Sequence, residues 1–153
     1  MRPNAKSLKK ESKKTRRMSK SKQNIVVVDD DAEMNQAIKR LLNAAGFSAL
    51  TFESAEALLG AGMVASASCL VLDVHLPGLS GFELHRKLRE KGFAVPVIFI
   101  TAYDDPGSRA QARDAGAIGF FTKPFPGQSL LAAILKALSN FVGDNIMKQK
   151  HNS

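Results

Sequence analysis

Four short apolar runs in this chain each end on a chemically reactive side chain, and that repetition narrows the fold more than any other feature. The runs at 25–28, 69–72, 97–100 and 118–122 lead into Asp29 with Asp30, Asp73, Thr101 and Lys123 respectively. Runs of this length are too short for buried helices and do not alternate with polar residues, so they read as strands covered on both faces. Between them the apolar spacing turns helical. Met34, Ala37, Ile38, Leu41, Leu42 and Ala45 follow the first run and stop at Gly46. A short strand at about 48–52 precedes a helix capped by Ser54 that carries Ala57, Leu58 and Leu59. Leu84 and Leu88 follow the third strand, and a fourth helix is expected over 106–115. A fifth helix, starting near Gln128, carries Leu130, Leu131, Ile134, Leu135, Leu138 and Phe141.

Five strand–helix units with fully apolar strands imply a parallel sheet with helices on both faces. The expected fold is α/β: a flavodoxin-like, doubly wound, five-stranded sheet in the order 2-1-3-4-5 with five helices. That order sets the first and third strands side by side at the switch point, where ligands bind at the C-terminal edge. Asp29, Asp30 and Asp73 all fall there. Three neighbouring carboxylates repel one another unless positive charge is supplied. Mg²⁺ suits an oxygen-only cluster, whereas no Cys or His pair has zinc spacing. Lys123 adds an ammonium and Thr101 a hydroxyl. Together these groups can neutralise a phosphoryl group arriving at the Asp73 carboxylate, and attack by that carboxylate gives an aspartyl phosphate.

Taken singly, each residue has an ordinary explanation. Asp30 or Asp31 could cap the first helix. Asp73 could be a turn residue beside the Pro-Gly loop, Thr101 a strand end, and Lys123-Pro124 a surface turn. Their joint placement is far more specific. The lone Asp73 lies 44 residues beyond Asp29, the hydroxyl 28 further on and the lysine 22 beyond that, each at a strand end.

The 153 residues suffice for one domain with a sizeable core. The formal net charge of +8 belongs to one end: residues 1–24 hold ten Lys or Arg and a single Glu, and the remainder is near neutral. This basic tail, 1–23, is expected to be disordered. It is either a solvated extension or an anchor for nucleic acid or another anionic surface, or else translation starts at Met18 and leaves 18–24 as a short leader before the first strand. Residues 143–153 read as a C-terminal tail. No apolar run is long enough to span a bilayer. The lone Cys69 falls in a buried strand, as expected of a core residue in a reducing cytoplasm.

The segments Val27-Val28-Asp29-Asp30-Asp31, Leu72-Asp73-Val74-His75-Leu76-Pro77-Gly78-Leu79-Ser80-Gly81, Ile100-Thr101-Ala102 and Thr122-Lys123-Pro124-Phe125 resemble the receiver domain of two-component response regulators. The likeness covers about 24–142, and the phosphorylation loop is similar to that of nitrogen-fixation regulators. The resemblance implies that Asp73 accepts phosphate from a sensor kinase phosphohistidine, directly or through a phosphotransfer protein. It implies Mg²⁺ bound directly by Asp30, Asp73 and the His75 backbone carbonyl, and by Asp29 through water. Lys123 would contact the phosphoryl group. Thr101 and Phe120 would form the switch, the Lys123–Pro124 bond would be cis, and signalling would pass through the face of helix four, strand five and helix five. Receivers often dimerise through that face; for this chain the question stays open, since Arg109 and Arg113 suit pairing but do not demand it. Such a protein is a signalling phosphoacceptor, with only self-catalysed phosphorylation and dephosphorylation.

Two residues depart from the commoner pattern. Phe120 stands where Tyr is also frequent, and His75 is an unusual occupant that, with Tyr103, should border the path of attacking water. Helix four lacks any large apolar residue, offers only Ala110, Ala112 and Ala115 to the sheet, and is therefore expected to be weakly held. Three rivals fit less well. A haloacid-dehalogenase-type phosphatase expects an acid at position 75. A flavodoxin-like electron carrier needs a phosphate cradle where Asp29-Asp30-Asp31 would repel phosphate. A receiver-like module that binds without phosphorylation would not require the complete residue set.

Overall fold

The computed structural model describes residues 22–152, with side chains described as far as Ser139. The basic segment up to 21 and the side chain of Phe141 lie outside the described residues. Five parallel strands form one sheet: β1 (Asn24–Val28), β2 (Ser48–Phe52), β3 (Ala67–Asp73), β4 (Val97–Thr101) and β5 (Gly119–Thr122). Their order is β2-β1-β3-β4-β5, as the sequence pattern predicts. The helices are α1 (Ala32–Ala44), α2 (Ala55–Ala61), α3 (Gly81–Glu90), α4 (Pro106–Asp114) and α5 (Gly127–Asn152), with a short 3₁₀ turn at Val64–Ser66. The backbone of α5 continues past Val142, where the sequence reading ends the folded domain.

Alternate residues of each strand feed opposite layers. Val26, Val28, Leu70, Leu72 and Phe99 join Leu58, Leu84, Leu88 and Ala112 in the layer covered by α2, α3 and α4. Ile25, Val27, Val71, Ile98 and Ile100 join Ile38, Leu42, Leu130 and Ile134 beneath α1 and α5. Cys69 lies fully buried in this second layer, and burial pushes its thiol up to about 12. Since β1, β3 and β4 are almost wholly buried while β5 is an edge strand of intermediate exposure, the central strands anchor the residues just beyond them.

The helix starts are chemically specified. Asp31 caps α1, accepting from the Glu33 and Met34 amides, which resolves the choice between Asp30 and Asp31. Ser54 caps α2 through the Ala57 amide. Ser80 and Glu83 form a reciprocal capping box on α3. Asp105 caps α4 just ahead of Pro106.

Some expectations need correction. Residues 95 and 96, which the sequence pattern also allows as the start of the fourth strand, lie outside β4, and Thr101 is its last residue. Ala37, Ala45 and Ala57 face solvent, while Asn35 and His85 are buried on helix faces where only apolar residues are expected. In α4 the buried residues are Ser108 and Ala112. Leu135 is half exposed on α5 rather than packed.

Candidate functional site

The residues singled out from the sequence converge at the C-terminal edge of β1, β3, β4 and β5. Hydrogen bonding continues just past the strand ends, with the Asp29 amide donating to the Phe52 carbonyl (3.0 Å) and the Val74 amide to the Ile100 carbonyl (2.8 Å). Asp29 and Asp73 are thereby carried on rigid backbone. Asp29 is fully buried and Asp73 nearly so, whereas Asp30 is exposed. One carboxylate oxygen from each of Asp29, Asp30 and Asp73 can be chosen so that all three lie within 4.8 Å of one another.

Lys123 Nζ sits 2.7 Å from Asp29 Oδ2 and 2.9 Å from Asp73 Oδ2. The other oxygens are held by backbone amides, Asp29 Oδ1 by Asp31 (2.9 Å) and Asp73 Oδ1 by His75 (2.9 Å). Asp29 Oδ2 touches the ammonium but has no donor aligned on it as a hydrogen bond. Burial raises the Asp29 carboxyl above its ordinary range, and the Lys123 ammonium and Asp31 amide offset this only partly. Burial also opposes the charge on Lys123, but its two carboxylate partners outweigh it and raise the amine above its usual value. The Lys123–Pro124 bond is cis.

This donor set fits a divalent cation. Three carboxylates and one ammonium leave a formal charge of −2 at a partly open, all-oxygen site. The buried acceptor without an aligned donor adds to that need. Asp30 lies on the open side, where it can take up a ligand without disturbing the core.

The neighbouring loop carries the other named residues. The buried Thr101 hydroxyl donates to the Tyr103 carbonyl (3.0 Å) and accepts from the Tyr103 amide (3.1 Å). His75, exposed, meets Tyr103 edge to face at 5.4 Å between ring centres, so the two bulky groups expected beside the site stack on each other. Phe120 is half-buried under the Arg109 guanidinium, 5.5 Å from its ring centre. Arg109 also forks onto Asp104, with Nη2–Oδ2 at 2.7 Å. Arg109, one of the two arginines suited to pairing, thus also makes contacts within the chain.

Sequence reasoning missed three contributors. Asn35 Nδ2 donates to the Asp29 carbonyl (2.8 Å) and the Phe52 carbonyl (3.3 Å), tying β1 to β2 directly behind the acidic cluster. Its place three and seven residues before Ile38 and Leu42, on the buried stripe of α1, was the available signal. Glu56 on α2 holds the loop after β3 through the Leu79 amide (3.0 Å). Gly81 lets the start of α3 press against the strand, since a Cβ there would run into the Asp73 carbonyl oxygen.

Three acids, a lysine and a hydroxyl are thus gathered at the switch-point edge of a doubly wound sheet, a set with no cysteine or histidine side chain in it. Residues 25–135 match the family model of the response regulator receiver domain, and the chain belongs to that family. It is 39% identical over 130 residues to the transcriptional regulatory protein TdiR of Thauera aromatica, covering 83% of this chain and 57% of TdiR. It is 36% identical over 118 residues to the transcriptional regulatory protein FixJ of Bradyrhizobium diazoefficiens, covering 77% of this chain and 58% of FixJ. The solved response regulator StyR superposes with a TM-score of 0.75 at 36% identity, covering 86% of this chain and 67% of StyR. The chain spans a little over half the length of these two curated relatives. It is therefore a receiver of two-component signalling, and among the described residues no helix is long and apolar enough to cross a membrane.

Proposed function

We propose that Asp73 is the phosphoacceptor, taking a phosphoryl group from the phosphohistidine of a sensor kinase or phosphotransfer protein, or from a small phosphodonor. The observation that carries this reading is the nearly buried Asp73 carboxylate, contacted by Lys123 at 2.9 Å and grouped with two further acids at the open edge. In the transfer an Asp73 oxygen bonds to phosphorus as the P–N bond breaks, and the bond pair leaves with the imidazole nitrogen. Lys123 is already on Asp73 Oδ2 and needs little movement to meet the incoming oxygens. Asp30, Asp73 and the His75 carbonyl, backed by Asp29, would hold Mg²⁺, which when bound offsets the charge of the acids and the phosphoryl group.

The signalling step depends on the polar contacts around Thr101. Both hydrogen bonds of its hydroxyl go to the Tyr103 backbone, so turning it towards a phosphoryl oxygen releases the start of the β4–α4 loop. Phe120 then gains room beside Thr101, and the face built by α4, β5 and α5 changes shape. Partner binding or dimerisation reads that face by shifting two pre-existing states.

Incubation with acetyl phosphate and then intact-mass measurement tests the chemistry. A gain of about 80 Da, one phosphoryl group, is expected only with Mg²⁺ and not in Asp73→Asn. No gain with folded protein would favour a module that binds its partner without phosphorylation. In that case, salt-dependent binding to DNA lost on deleting residues 1–17 would identify the basic segment as the working part.

A further inference from the structure

The loop after Asp73 is hydrogen-bonded at both ends, while in its middle Leu76 is buried in the core, Leu79 packs against that core, and hydrogen bonds to other elements are sparse. At the near end Val74 is bonded through its amide to the Ile100 carbonyl and through its carbonyl to the Gly81 amide (3.0 Å). At the far end the Ser80–Glu83 capping box fixes the start of α3. Across Leu76–Leu79, the Leu79 amide on Glu56 Oε2 is the one hydrogen bond reaching another element among the described residues. Glu56 comes from the first turn of α2, 23 residues away in sequence. Accepting that amide holds its carboxyl below the usual range.

Gly78 bears the mark of the same contact. Its φ of +74° favours glycine, and a Cβ there would lie 2.6 Å from Glu56 Oε2. The missing side chain leaves room for the carboxylate. The loop so held begins at His75, whose amide donates to Asp73 Oδ1.

We propose that Glu56 is a positioning residue for the acidic site. It straps the Leu76–Leu79 loop to α2, so that the His75 main chain is preorganised for Asp73 and for the cation. The proposal rests on Asp73 being the phosphoacceptor and assigns a role to a residue outside the cluster itself. Glu56 acts through its hydrogen bond, not through its negative charge. A flexible loop must be ordered at each binding event, which weakens ligand affinity without changing the chemistry once the ligand is bound.

Three substitutions separate these contributions. Glu56→Gln keeps an acceptor within reach of the Leu79 amide and removes the charge. Glu56→Asp keeps the charge but draws the acceptor back by one methylene. Glu56→Ala removes both. Mg²⁺ affinity by calorimetry, the Leu79 amide shift by NMR, and the acetyl phosphate reaction rate across Mg²⁺ concentrations are the readouts. Glu56→Ala and Glu56→Asp are expected to raise the Mg²⁺ dissociation constant about fivefold, the size of one modest hydrogen bond. The rate at saturating Mg²⁺ should be unchanged, and Glu56→Gln should stay close to wild type. Wild-type affinity in Glu56→Ala and Glu56→Asp would overturn the proposal. Equal losses in Gln and Ala would also overturn it, in favour of a charge effect. If Glu56→Ala fails to fold, the Asp and Gln pair still decides. A wild-type protein that neither binds Mg²⁺ nor gains phosphate would instead defeat the phosphoacceptor reading.

Discussion

Helices α1 and α4 both border the acidic edge but are held by different physics. The 13-residue α1 drives Ile38 and Leu42 into the core and pins the β1–β2 edge through Asn35. The nine-residue α4 buries only Ser108 and Ala112. Polar contacts order its own N-terminal turn, and one of them reaches β5. Asp105 accepts from both the amide (2.8 Å) and the hydroxyl (3.0 Å) of Ser108, and Arg109 bridges Asp104 and the Phe120 ring. Apolar burial fixes a helix in one place, because every displacement exposes surface. Polar contacts at a wet surface can exchange partners at small cost. The buried acids Asp29 and Asp73 are thus carried by firmly anchored strands, while Thr101 and Phe120, proposed above to switch, adjoin the helix with the smaller apolar anchor.

The widest gap should appear on truncation. Leu42→Ala is expected to cost about 3 kcal/mol, the usual range for a fully buried leucine. Ala112→Gly in α4 should cost only about 1 kcal/mol, chiefly through helix propensity. Urea denaturation of the two variants makes the comparison, and equal losses would remove the distinction. Amide exchange probes the same contrast without substitution. The α4 amides are expected to open with about 2 kcal/mol less free energy than those of α1, roughly thirtyfold faster exchange. Matching protection in the two helices would contradict a loosely held α4.

The sheet order, all five helices and the whole acidic cluster were legible in the sequence because they depend on strand-length apolar runs and on the residues that end them. Asp29, Asp73, Thr101 and Lys123 could be placed on one edge from topology alone. Polar side chains working at long range escaped notice. Asn35 looks like a surface residue unless its place on the Ile38–Leu42 stripe is weighed. Glu56 reaches a loop 23 residues on, and no local pattern encodes that contact. His85 is buried on α3 against Phe99, where a polar residue breaks the apolar code, and burial, then the nearby Arg89, lowers its pKa. The Arg109 contacts were missed because an exposed arginine has many partners available, and only the folded loop selects Asp104 and Phe120.

Asp29 offers a third, smaller contrast, between a group placed for stability and one placed for function. Burial raises its folded pKa above that of the unfolded chain, so the native state binds the proton more tightly. Wild-type stability contributed by this group is present in acid and is lost as pH rises through the raised value. Asp29→Asn resembles the protonated form and escapes that loss. It should therefore be more stable than wild type at neutral pH, with the difference shrinking as pH falls towards the ordinary Asp range. The same variant should bind Mg²⁺ more weakly. Urea curves at several pH values test the sign, and a variant less stable than wild type at neutral pH would mean that the Lys123 contact outweighs burial.

The smallest expected effect separates the two helices most cleanly, because it touches the polar attachment alone. Arg109 is exposed where it meets Asp104, so salt should screen that pair, while the apolar contacts of α1 do not depend on it. Raising ionic strength from about 0.1 to 1 M, which shortens the screening length from about 10 to 3 Å, should speed amide exchange in α4 but not in α1. Arg109→Gln removes both the fork and the cation over Phe120, so its α4 should exchange faster at low salt and no longer respond to added salt. Unchanged α4 exchange in the variant would show that Ser108, Ala112 and the Asp105 cap suffice to hold the helix, and that Arg109 does not restrain Phe120.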